Sequence, residues 1–125
     1  MIVDDPEETM GVNDRVDLAK AQKWMKRRIN ERHMYNGVTI IDPEHTYIDA
    51  DVEIGQDTVI YPNVFLQEHT RIGNNVTILP NSFLRNAEIA DDVTIDSSKI
   101  VESKVGKGST VGPMSHLRNQ TEICA

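Results

Sequence analysis

The sequence predicts a mostly β protein, a parallel β-helix preceded by one long α-helix, and two columns of residues carry that expectation. Starting at Ile48, an aliphatic residue returns every six positions through Ile54, Ile60, Leu66, Ile72, Ile78 and Leu84. The marks continue, with occasional steps of five, through Ile89, Ile95, Ile100, Val105, Val111, Leu117 and Ile123. A fixed short period of this kind is the signature of a hexapeptide solenoid. Three residues after the first six marks stand Asp51, Asp57, Asn63, His69, Asn75 and Asn81. Asn, Asp and His tolerate φ > 0 better than other non-glycine residues, so the column reads as one left-handed corner per hexapeptide. An ordinary sandwich of evenly spaced strands is the competing architecture, and strict alternation over 48–53 permits it.

Each segment then has its own signal. Residues 1–10 are acidic and show no periodicity, which predicts an extended or mobile start. Residues 13–36 read as a helix: Leu18, Ala21, Met25 and Ile29 recur at spacings of three and four and form one apolar stripe. Asn13 or Asp14 can cap its start, and Asn36-Gly37 supplies the stop. Lys26, Arg27, Arg28, Arg32 and His33 gather in the later turns, where cations meet the negative end of the helix dipole; the cluster reads as a solvated face. Residues 37–47 read as a connector and 48–125 as the solenoid.

Within the solenoid, Val52, Thr58, Val64, Thr70, Val76 and Ser82 stand four residues after the marks and suit a second inward position. Three corners close a triangle, so one coil should take eighteen residues and Ile48, Leu66 and Leu84 should stack. Where the steps shorten to five, the corner column becomes irregular (Ala87, Asp92, Ser98, Ser103, Gly108). The residue before each mark should point outward, which puts Tyr47, Phe65 and Phe83 on one face as an apolar stripe. Such a stripe calls for a cover, from the helix or from a neighbouring subunit.

Composition bounds the rest. At 125 residues there is room for one domain plus a connector, and the net charge of −7 disfavours nucleic acid or an anionic membrane as main partner. The start lacks the basic and apolar regions of a signal peptide, and the single cysteine, Cys124, fits a reducing cytoplasm. His33, His45, His69 and His116 form no metal-spaced pair, and His69 is explained by its corner column. Asp4-Asp5 and Asp91-Asp92 read as solvated surface. There is no nucleophile motif and no glycine-rich phosphate loop.

Four strings carry a resemblance: GVNDR (11–15), RRINERHM (27–34), NGVTIIDPEHTYIDADVEIGQDTVIYP (36–62) and VGPMSHLR (111–118). Together they resemble the bacterial bifunctional N-acetylglucosamine-1-phosphate uridyltransferase/glucosamine-1-phosphate N-acetyltransferase family, over roughly residues 11–123. The resemblance implies a left-handed β-helix, homotrimers, acetyl-CoA as co-substrate and Mg²⁺ at the uridyltransferase centre. It implies a cytoplasmic enzyme whose product, UDP-N-acetylglucosamine, feeds cell-wall synthesis. Residues 1–12 then correspond to the tail of a nucleotidyltransferase domain, 13–36 to the linker helix and 48–125 to the first four to five coils of the acetyltransferase domain.

By the same resemblance, Asn13 matches a residue that binds Mg²⁺ and the sugar nucleotide, and Arg118 matches the arginine that binds the phosphate of glucosamine 1-phosphate. A carboxamide oxygen is a suitable hard ligand for Mg²⁺, and a guanidinium suits bidentate phosphate recognition. The family's catalytic histidine and acetyl-CoA contacts match nothing in this sequence, which reads Arg-Asn-Gln at 118–120 where the family has an Arg-Pro-Gly-like turn. The expectation is a piece of the enzyme that is inactive alone and binds no cofactor, with an open coil end that promotes oligomerisation. A non-catalytic β-helix serving as a trimerisation or docking module, or part of another hexapeptide acyltransferase, is the alternative.

Overall fold

A computed structural model of the protein describes residues 6–118 and 121–123, with side chains from residue 14 onward. Helix α1 spans Pro6–Tyr35. It is already helical at Pro6, earlier than the apolar spacing suggests. Residues 6–10 are therefore helical rather than extended, and Asn13 and Asp14 lie inside the helix instead of capping it.

The helix stops where the sequence indicates. Gly37 N–H donates to the Met34 carbonyl at 3.2 Å and Val38 N–H to the His33 carbonyl at 3.0 Å, the paired bonds of a Schellman motif. Gly37 takes φ = 97°, a conformation that glycine adopts without strain.

The expected apolar stripe does not dock the helix. Leu18 and Met25 are exposed, and only Ile29 and Met34 pack on the core. Polar side chains make the junction instead. Asn30 is fully buried and its Nδ2 donates to the carbonyls of Pro43 (2.8 Å) and Thr46 (3.2 Å). Lys26 Nζ donates to the Glu44 carbonyl, and Arg32 Nη2 to the Ala50 carbonyl at 3.1 Å. Buried His33 completes the contact.

Three five-stranded parallel sheets form the faces of the solenoid. The first face contains β1 (Thr39–Ile40), β4 (Val59–Ile60), β7 (Thr77–Ile78), β10 (Thr94–Ile95) and β13 (Thr110–Val111). The second contains β2 (Thr46–Ile48), β5 (Val64–Gln67), β8 (Phe83–Arg85), β11 (Lys99–Val101) and β14 (His116–Leu117). The third contains β3 (Glu53–Ile54), β6 (Arg71–Ile72), β9 (Glu88–Ile89), β12 (Lys104–Val105) and β15 (Glu122–Ile123). Because Thr39 and Ile40 pair with Val59 and Ile60, the connector is already the first coil, widened by a 3₁₀ turn at Pro43–His45.

The inward columns are as expected. Ile48, Leu66 and Leu84 stack in register, and Val52, Thr58, Val64, Thr70, Val76 and Ser82 are all buried. The hydroxyls of this second column are satisfied within the stack, whereas the buried Ser109 Oγ has no hydrogen-bond partner among the described residues. Thr58 Oγ1 donates to the Gly73 carbonyl at 2.8 Å and accepts from Val76 N–H at 3.2 Å. Thr70 and Ser82 donate instead to the carbonyls three residues earlier, Gln67 and Leu79, and likewise accept N–H groups of the next coil, from Ala87 and Ser98.

The corner column holds on two edges of the prism and shifts on the third. Asp57, Asn63, Asn75 and Asn81 take φ near +60°, but Asp51 and His69 do not. Both exceptions lie on the edge between the second and third faces, where Glu68, Asn86 and Glu102, two residues after the mark, carry the left-handed backbone. The shortened corners remove one residue between mark and bend, so Asn86, Ser97 and Glu102 take φ > 0 instead of Ala87, Ser98 and Ser103. Asp92 and Gly108 keep their expected role, on an unshifted edge whose steps stay at six. The coil shortens accordingly, from eighteen residues (Ile60 to Ile78) to seventeen (Ile78 to Ile95) and sixteen (Ile95 to Val111).

Candidate functional site

Alternation along each short strand gives every face one outward column, and the three columns differ in chemistry. On the first face it reads Thr39, Val59, Thr77, Thr94, Thr110, and on the third Glu53, Arg71, Glu88, Lys104, Glu122. The third column alternates in sign, so each cation has a carboxylate on either side; Arg71 Nε lies 3.7 Å from Glu53 Oε1.

The second face reads Tyr47, Phe65, Phe83, Lys99, His116. Tyr47 and Phe65 stack at 4.6 Å between centroids with planes 13° apart, and Phe83 follows at 6.3 Å. The three aromatics are outward as expected. The helix reaches only the first of them, through Lys26 Nζ 4.8 Å from the Tyr47 centroid; Tyr47 and Phe65 remain 36% and 38% exposed. Face-to-face stacking at this spacing presents ring edges, not a flat platform, to anything that approaches.

Below Phe83 the face turns cationic. Lys99 lies between Phe83 and His116 in register, with its Nζ 5.4 Å from the Phe83 centroid. Arg118 follows buried-side Leu117 at the end of β14 and is exposed, as are Lys99 and His116. Arg85, two coils above Arg118, lies 3.9 Å from Glu68 Oε2. Among the described residues neither Lys99 nor Arg118 has a carboxylate within ion-pair distance, unlike Arg71, Arg85 and Arg27.

Arg118 thus lies in a cationic surroundings that sequence reading did not assemble. The signal was present, since Lys99 and His116 continue the outward column of Tyr47, Phe65 and Phe83 once the shortened coils are counted. The Asn13 side chain lies outside the described residues, as does Cys124. Among the described residues no three His, Cys, Asp or Glu side chains converge on a metal-sized site. An Mg²⁺ ion held by the Asn13 carboxamide would therefore take its carboxylates from elsewhere in a whole enzyme.

The other histidines have structural partners. His45 Nδ1 is 2.8 Å from Asp42 Oδ2 in the 3₁₀ turn. At His69 it is the backbone N–H, not the ring, that donates to Asn86 Oδ1, at 3.0 Å on the shifted corner edge. His33 is held neutral: burial, and secondly the Arg32 charge, lower its pKa from 6.5 to about 4. No helix among the described residues is long and apolar enough to cross a membrane.

Comparison with known proteins agrees with this architecture. The chain is 56% identical over 117 residues to the bifunctional protein GlmU of Clostridioides difficile, and 52% identical over the same length to those of Clostridium botulinum and Listeria welshimeri. Each alignment covers 94% of this chain and 26% of the relative, so the chain spans about a quarter of the length of the curated relatives it matches. The model of the GMPPB C-terminal domain family matches residues 42–125, from the 3₁₀ turn through every later coil. The chain belongs to the GMPPB C-terminal domain family and matches the C-terminal region of bifunctional GlmU proteins.

Proposed function

We propose that this chain supplies the linker helix and opening coils of a bifunctional enzyme that acetylates glucosamine 1-phosphate with acetyl-CoA and then uridylates it to UDP-N-acetylglucosamine. The observation that carries the reading is 56% identity over 117 of the 125 residues, a length that takes in helix as well as coils. Hexapeptide coils alone would not demand that similarity in the helix. Arg118, exposed on the cationic half of the second face, is the proposed contact for the sugar phosphate. Asn13 is the proposed sugar-nucleotide and Mg²⁺ contact in the uridyltransferase centre of the whole enzyme. The proposed setting is the cytoplasm.

The test is a chimera in which this sequence replaces the matching segment of the Clostridioides difficile relative. Acetyl transfer from acetyl-CoA to glucosamine 1-phosphate should persist in the chimera and fall at least tenfold with Arg118→Ala. The 125-residue chain alone should show neither acetyl transfer nor UTP-dependent pyrophosphate release. An inactive but folded chimera would overturn the reading.

The stacked aromatics favour a second role that is compatible with the first. Exposed Tyr47 and Phe65, continued by half-buried Phe83, form an apolar strip that suits a homotrimer contact in which the β-helix is the assembly module. Sedimentation of the chain should give a trimer that weakens with Phe65→Ser; a monomer at high concentration would refute this role.

A further inference from the structure

We infer that Lys99 and His116 join Arg118 in one anion subsite on the second face, built to take a phosphate monoester dianion. The ligand identity rests on the glucosamine 1-phosphate reading above; the subsite rests on the arrangement of charge over the solenoid.

The solenoid contains Arg71, Arg85, Lys99, Lys104, Lys107 and Arg118 as its lysines and arginines. On the third face, Arg71 and Lys104 alternate in register with Glu53, Glu88 and Glu122. An anion approaching there meets a field that cancels over one strand spacing. The second face offers the opposite arrangement. Its outward column places Lys99 directly beside His116, with no carboxylate in either in-register position. Arg118 stands two residues beyond His116, one past the end of β14, and is exposed.

Neighbouring parallel strands are about 4.8 Å apart and alternate residues about 6.6 Å apart along a strand. Long Lys and Arg side chains from such positions can converge on one phosphate, with the His116 ring between them as a further donor. Lys99 also has an alternative resting place: its ammonium lies over the Phe83 ring, 5.4 Å from the centroid. A cation held on a ring face, and not in an ion pair, moves to a phosphate without first breaking a carboxylate contact. Lys99 and His116 are phosphate-binding residues in this scheme.

The experiment uses the 125-residue chain, followed by NMR of the His116 ring and the Lys99 side chain. The probes are inorganic phosphate, glucosamine 1-phosphate and glucosamine, added at fixed pH and low salt. Both phosphates should shift the His116 and Lys99 resonances saturably, and glucosamine should not. Lys99→Ala should weaken phosphate binding about 5–10-fold, Lys99→Arg should largely restore it, and Lys104→Ala on the third face should leave it unchanged. Lys99 is exposed, so these variants should keep the wild-type circular dichroism.

Phosphate binding that vanishes with Arg118→Ala but is indifferent to Lys99→Ala and His116→Gln would overturn the subsite while leaving the Arg118 reading intact. Equal weakening by Lys104→Ala would reduce the effect to net charge and also overturn it. Glucosamine 1-phosphate binding no tighter than phosphate would support the anion subsite and count against the sugar substrate.

Discussion

The carboxylate of Asp91 occupies the space that a β-carbon on Gly73 would take, and its Oδ1 accepts the Asn74 N–H at 2.8 Å. One coil earlier, the Asn74 carboxamide does the same beneath Gly55 and accepts the Gln56 N–H at 2.9 Å. Side chain and glycine thus interlock from coil to coil along one corner edge. Gly73→Ala should push Asp91 off its donor and lower stability by about 1–3 kcal/mol, measured by urea unfolding. Gly55→Ala should cost more, because the Gly73 backbone would then lie 2.7 Å from the new carbon and has no rotamer by which to withdraw. Combining Gly73→Ala with Asp91→Ala should cost less than the sum of the single losses, whereas strict additivity would show that the two sites do not touch.

The third-face column makes a prediction about charge order. Arg71 is in register with Glu53 on one side and Glu88 on the other. Arg71→Glu would place three carboxylates in a row, and cross-strand like charges are unfavourable by roughly 0.2–1 kcal/mol per pair. The variant should lose about 1 kcal/mol at low salt and recover part of it at high salt. Arg71→Gln should lose less and show little salt dependence. A salt-independent loss in Arg71→Glu would show that packing, not charge, governs the column.

His33 predicts an acid-sensitive junction. The unfolded chain protonates this histidine near pH 6.5, while the folded chain holds it neutral down to about 4. Between those values the unfolded state binds more protons, so stability rises with pH across that window and falls on acidification through it. The group's share of the loss is at most about 3 kcal/mol. The stability difference between wild type and His33→Phe should change between pH 4 and 6.5 and be flat above pH 7. Parallel curves over the whole range would show that His33 does not titrate differently on unfolding.

The repeat made most of the solenoid legible, because each inward residue meets the same environment as its counterpart one coil away. Val52 and Thr70 could be assigned inward from spacing alone, and both are buried. Asp51 and His69 misled because composition shows which residue tolerates φ > 0 but not which edge needs it one position earlier; Glu68 bends there without being a preferred left-handed residue. The helix docking was illegible for a different reason. Leu18 and Met25 fit an amphipathic template, yet the contact is made by Asn30, Lys26 and Arg32 bonding to main-chain carbonyls. Such bonds depend on where a separate loop passes. At the candidate site Arg118 was legible only through resemblance to a family. Its neighbours Lys99 and His116 required the shortened coils to be laid in register.

Asn30 provides the sharpest test of that polar junction. Its carboxamide is buried, both Nδ2 bonds reach carbonyls of the first coil, and its Oδ1 has no hydrogen-bond partner among the described residues. Asn30→Leu fills similar volume but removes the donor from the Pro43 and Thr46 carbonyls, which costs about 1–3 kcal/mol for each carbonyl left dry. Asn30→Asp is close to isosteric, yet it turns an acceptor toward two acceptors and buries a charge, so it should be the more damaging variant at neutral pH. The lesion should be local in both cases. Amide hydrogen exchange should accelerate in the last turns of α1 and at Val38, while Val76 and Ile78, inside the stack, keep their protection. If the whole solenoid loses protection together, helix and coils unfold as one unit. If Asn30→Leu is the worse variant, Asn30 acts through packing rather than through its two hydrogen bonds.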